Sequence, residues 1–101
     1  MMKYDLNNFI VKYQDKDYIT ILMELTKEVQ HLDNAFVKLK RNQYDEGLTD
    51  YRSHVGDFLF YLNTGVIPGG IGVTGIKKFL PIITNLVEKA QLKPELLNQL
   101  K

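Results

Sequence analysis

A chain of 101 residues with 45% hydrophobic and 25% charged side chains has the make-up of one small globular domain, not of a disordered segment. Thirteen basic residues against twelve acidic ones leave a formal charge of +1, which argues against a dedicated polyanion binder. There is no cysteine, so disulfides, thiolate metal sites and thiol nucleophiles are excluded.

The charge is slightly uneven. Residues 77–101 hold five lysines and two glutamates, +3, whereas residues 1–47 hold seven positive and eight negative side chains, −1. The segment Met1 to Asn8 has no apolar run ahead of a small-residue cleavage site, and no window approaches the roughly 18 apolar residues of a membrane span. A cytoplasmic protein with no membrane contact is expected.

Leu6, Phe9, Ile10 and Tyr13 recur at helical spacing and predict a first helix over 5–13, with Asp5 or Asn7 as its N-cap. Asp15-Lys16-Asp17 interrupts it and offers an aspartate to cap the next. A second helix over 17–43 carries the strongest pattern in the chain: Tyr18, Leu22, Leu25, Val29, Leu32, Phe36 and Leu39 alternate spacings of four and three. Such a heptad seam keeps one stripe facing a partner helix, within the same bundle or across a dimer axis. Ile19, Ile21 and Val37 widen the stripe, which favours bundle packing.

Tyr44 to Gly47 reads as a turn, with Gly47 in the left-handed conformation after a helix end. A third helix capped by Thr49 follows, its core stripe made of Leu48, Tyr51, Val55, Phe58 and Leu62. Phe60 and Tyr61 fall well around the helix from that stripe, so its end is apolar on nearly every side. That end is either covered by the C-terminal segment or shared with another protein, and Phe58, Phe60 and Tyr61 are the candidate interaction surface.

Five of the seven glycines lie between Asn63 and Gly75, a composition that forbids an ordinary helix. The fourth helix begins at Ile76, and Pro81 either kinks it or starts a helix of its own after a short turn. Pro94 opens a terminal helix to Leu100. The expected fold is all-α: one domain over 1–101, a compact bundle of four main helices and a short C-terminal one, with the glycine-rich hinge before the fourth.

Gly70-Ile71-Gly72-Val73-Thr74-Gly75 matches G-x-G-x-x-G, and Lys77 and Lys78 follow it. A helix precedes it where a dinucleotide site needs a strand, and Ile76 stands where a P-loop needs lysine, so neither nucleotide fold is indicated. Gly72, Gly75, Lys77 and Lys78 stay as an anion-site candidate. Glu28 and His31 have the spacing of a carboxylate-bridged metal site, but one copy is insufficient, and both His31 and His54 are expected on solvated faces. Asp50 and His54 lack a converging nucleophile, since Ser53 lies about 100° around the helix.

Lys38, Lys40 and Arg41 form a basic patch beside Tyr44, which with Lys77 and Lys78 gives a nucleic-acid-binding alternative; dipole compensation at a helix end is the simpler account. The sequence therefore suggests a non-catalytic protein-protein interaction or regulatory module. A homodimer or a complex with another protein is expected, with no metal or cofactor.

Overall fold

In a computed structural model, residues 4–39 and 46–101 are described, and all of their regular structure is helical. The order is α1 (Leu6–Tyr13), α2 (Tyr18–Lys38), α3 (Glu46–Thr64), α4 (Gly72–Ile76), a 3-10 turn (Lys77–Phe79), α5 (Leu80–Glu88) and α6 (Pro94–Asn98). The four longest, α1, α2, α3 and α5, are the main helices of the expected all-α bundle.

The first two helices start where a short acid can reach an orphan N–H. Asp5 accepts from the Asn7 amide at 2.9 Å, and Asp17 from the Thr20 amide at 3.3 Å. The heptad seam of α2 is turned inward: Leu25 and Leu32 are fully buried, and Tyr18, Leu22, Val29, Phe36 and Leu39 pack on the same core. Its partner is α3, antiparallel, since the Tyr18 hydroxyl donates to the Leu62 carbonyl at 2.8 Å while Arg52 meets Asp33 at 2.7 Å. The seam thus closes a bundle within one chain. Helix α2 ends earlier than its pattern suggests, because Leu39 is already extended, with ψ 138°; positions 40–43 of the expected helix lie outside the described residues.

Helix α3 starts earlier than expected. Gly47 does not form a left-handed turn but lies in the first helical turn, and Thr49 is not the cap. Two terms outweigh the turn signal of the glycine: Glu46 suits the positive helix start, and Leu48, only 2% exposed, anchors that turn in the core. Tyr44 and Asp45, the rest of the expected turn, lie outside the described residues.

Gly65 ends α3 for two physical reasons. Its φ of +71° places its N–H 2.8 Å from the Tyr61 carbonyl, and a Cβ there would lie 3.0 Å from Leu96 Cδ2. Contrary to the expectation that the glycine-rich hinge holds no helix, α4 is a short one within it. The expected fourth helix is broken into the 3-10 turn and α5, with Pro81 in the first turn of α5, where a missing N–H costs nothing. Gly75 is buried with the Ile71 side chain folded across it; a Cβ would sit 2.4 Å from Ile71 Cβ.

This compact turn delivers Phe79 to the centre. Its ring stacks on Phe58 at 4.1 Å between centroids, and Phe9 of α1 stands edge-on to both, at 5.7 Å from Phe79 and 6.4 Å from Phe58. At the other end of α5, the Gln91 amide donates to the Leu86 carbonyl at 2.8 Å and the Ala90 amide to Val87 at 3.0 Å, a Schellman closure. Its left-handed position is filled by Ala90, with φ 59°.

Two stability outcomes follow from these contacts. Phe79→Ala should lower the unfolding free energy by about 3–5 kcal/mol, since it empties a site shared by three elements; a loss under about 1 kcal/mol in urea titration would show that the ring cluster is not central. Ala90→Gly should raise it by roughly 0.5–1 kcal/mol by relieving the left-handed strain, and a lower thermal midpoint would contradict that reading.

Candidate interaction surface

The aromatic end of α3 is mostly not available to a partner. Phe58 and Tyr61 are both fully buried, which corrects their expected place on an interaction surface. Phe79 stacks on Phe58, and the C-terminal segment reaches Tyr61, whose hydroxyl donates to the Leu96 carbonyl; burial pushes the Tyr61 phenol above its ordinary range. Of the three expected residues only Phe60 faces outward, at 44% exposure.

In the hinge, the amides of both candidate glycines are engaged. Gly72 donates to the Pro68 carbonyl at 3.2 Å and Gly75 to Ile71 at 3.1 Å. A Cβ at Gly70 would lie 3.2 Å from an Asp57 carboxylate oxygen, so the local field includes a negative charge. Lys77 and Lys78 are exposed on the 3-10 turn.

Lys38 is exposed at the end of α2, while Lys40 and Arg41 lie outside the described residues. Asp33 sits beside Arg52 and Phe79 stacks on Phe58. Lys38 and the Lys77–Lys78 turn are therefore separated by roughly 15 Å along the helix axes. Among the described basic residues, Lys38 and the Lys77–Lys78 turn are not neighbours.

His54 also departs from expectation: at 8% exposure it is buried, while His31 is exposed. One turn before the buried Phe58, the His54 ring is drawn inward with that face of α3. Its Nδ1 lies 2.9 Å from the Asp50 carbonyl, which can only accept, so that nitrogen carries the proton. The Asp50 carboxylate is 3.6 Å from the same atom. Two clefts of about 150 and 170 Å³ flank the Tyr51 ring, one lined by Asp5, Lys12 and Glu28, the other by Tyr4, Asp50 and His54. Ser53 lines neither, while the Asp50 carboxylate and Tyr4 share the second cleft with His54. Among the described residues no three His, Asp or Glu side chains converge as metal ligands, and no helix is long and apolar enough to cross a membrane.

The surface that sequence reasoning missed is the outer edge of α2. Ile19 and Met23, one turn apart, are 60% and 59% exposed. They follow Tyr18 and Leu22 by one position each, and Ile19 reads from sequence as part of a widened core stripe. Beside Met23, a cleft of about 450 Å³ is lined by Leu22, Met23, Thr26, Lys27 and Asn63. A second cleft of about 410 Å³ shares Asn63 and extends past Tyr18 and Leu62 to Gln91, Lys93 and Leu96. The Tyr18 amide donates to Gln91 Oε1 at 2.7 Å, and the Lys89 ammonium to the Asp15 carbonyl at 2.9 Å, so the start of α2 is fastened to the segment after α5. A heptad seam shows which face of α2 goes inward. It carries no signal for the groove, which needs the end of α3 and residues 91–96 beside it.

No family model matches the chain, and neither the curated proteins nor the solved structures give a match.

Burial, with the charges of Glu28, Tyr13 and Asp5 adding to it, raises the Tyr51 phenol from 10.0 to about 12. A folded state that holds a proton more tightly than the unfolded one is stabilised below the unfolded value and loses that stabilisation as pH rises through the folded one. Stability should therefore fall between about pH 10 and 12. In Tyr51→Phe the fall should be shallower when urea midpoints are compared across that range; identical slopes in both proteins would remove Tyr51 as a contributor.

Proposed function

We propose that the chain is a non-catalytic protein-interaction module whose binding face is the outer edge of α2 and its junction with the end of α3. The observation that supports it is the exposure of Ile19 and Met23, about 60% each, beside a groove floored by Leu22. Leaving two large apolar side chains in water forgoes roughly 1.5–3 kcal/mol each on full burial, and a partner's apolar surface recovers part of that. The occupant is a second copy of the chain, as the expected homodimer requires, or another protein. Nucleic-acid binding through Lys38, Lys77 and Lys78 has less support, because the two groups lie far apart.

The test is a photo-crosslinking residue placed at position 23 and, as control, at exposed position 99. Irradiation in the native host should give adducts of defined mass from position 23 and none from 99. Light scattering of the purified chain separates the occupants, since a dimer has twice the mass of 11.7 kDa. No adduct from position 23, or the same adducts from both positions, would sink the interaction reading.

A further inference from the structure

The two clefts along α2 adjoin at Asn63, as a run of neighbouring clefts. Tyr18 lines the second and Leu22 the first, and these residues are one turn apart on the same side of the helix, with Asn63 in both walls. The run is roughly 15–20 Å long, the length of about three helical turns. Its floor is apolar, from Leu22, Leu62 and Leu96. Among the described residues, the charged side chains that line it are Lys27 and Lys93, and no carboxylate does. Among the described residues neither lysine has an ion-pair partner. Of the neighbouring acids, Glu24 pairs with Lys16 at 3.1 Å, Glu28 lines the separate cleft beside Tyr51, and Asp17 caps the helix.

Resting on the interaction reading above, we infer that the groove takes a short acidic amphipathic segment of another protein. Its apolar side chains lie on Leu22, Leu62 and Leu96, and its carboxylates reach Lys27 and Lys93. Charge complementarity selects this occupant over a second copy. A two-fold interface centred here sets the same patch against itself, so Lys27 and Lys93 of one copy meet the same lysines of the other with no lining carboxylate between them.

The probe is a labelled synthetic 16-residue peptide with leucines at helical spacing and glutamates on both flanks, compared with the same peptide carrying lysine for glutamate. Anisotropy titration should show saturable binding of the glutamate peptide below about 1 mM, weakening severalfold on going from low to high salt, and at least tenfold weaker binding of the lysine peptide. Lys27→Glu with Lys93→Glu should weaken the glutamate peptide tenfold or more; the neutral pair Lys27→Gln with Lys93→Gln should fall between, with thermal melts confirming that both fold. Amide shift changes should centre on residues 18–27, 62–65 and 91–96. Equal binding of the two peptides, unchanged affinity in the charge-reversed variant, no binding up to about 1 mM, or dimerisation that excludes the peptide each overturns the inference. Adducts from position 23 with no acidic preference remove the acidic partner and keep the module, whereas no adduct removes the module itself.

Discussion

The stack of Phe58 on Phe79 is the contact on which the remaining arrangement depends. It joins the middle of α3 to a 3-10 turn 21 positions further on, and Phe9 of α1 closes on both rings from the edge. Such aromatic pairs add about 0.5–1.5 kcal/mol beyond the area they bury, and here one cluster fixes three elements at once. The path of the hinge follows from it. To bring Phe79 over Phe58 the chain must reverse within the few residues after α3, and Gly65, with its positive φ, and Gly75, beneath Ile71, are what the reversal requires.

A second constraint comes from the two sides of α2. The seam side is committed to α3 along its whole length, so the regularity that would suit a coiled-coil dimer is used inside one chain. What α2 shows to solvent at its start is Ile19 and Met23, held beside a groove that three separate segments build. Tyr18 is the fastening point, donating from its hydroxyl to α3 and from its amide to Gln91. The groove is therefore braced by the same bonds that hold the bundle closed at that end.

The polar constellations have structural uses. His54 ties its ring to the Asp50 carbonyl, the Tyr51 ring separates two small clefts, and the hinge glycines whose amides suggested an anion site donate them to the turn. The amides of Gly72 and Gly75 are already engaged in the turn, and Ser53 lies outside the cleft that His54 lines. The groove on α2 has both of its ingredients in place, an apolar floor and uncompensated lysines.

By itself the sequence determined the helical class and the apolar stripe of α2, and it narrowed the first cap to Asp5 or Asn7, the second to an aspartate of 15–17 and Pro81 to a kink or a helix start, because these follow from periodicity and from interactions a few residues apart. It misplaced the start of α3, where burial of Leu48 outweighs the glycine beside it. It also misassigned Phe58, a stripe residue that Phe79 and Phe9 cover, and Tyr61, which lies off the stripe and is met by the C-terminal segment at Leu96. His54 and Ile19 depart from their expected burial for the same reason: whether a helix face is wet depends on what lies against it. Only the tertiary structure decided that, since the groove between Met23 and Lys93 is made by residues some 70 positions apart, and no local pattern encodes a surface that long-range packing creates.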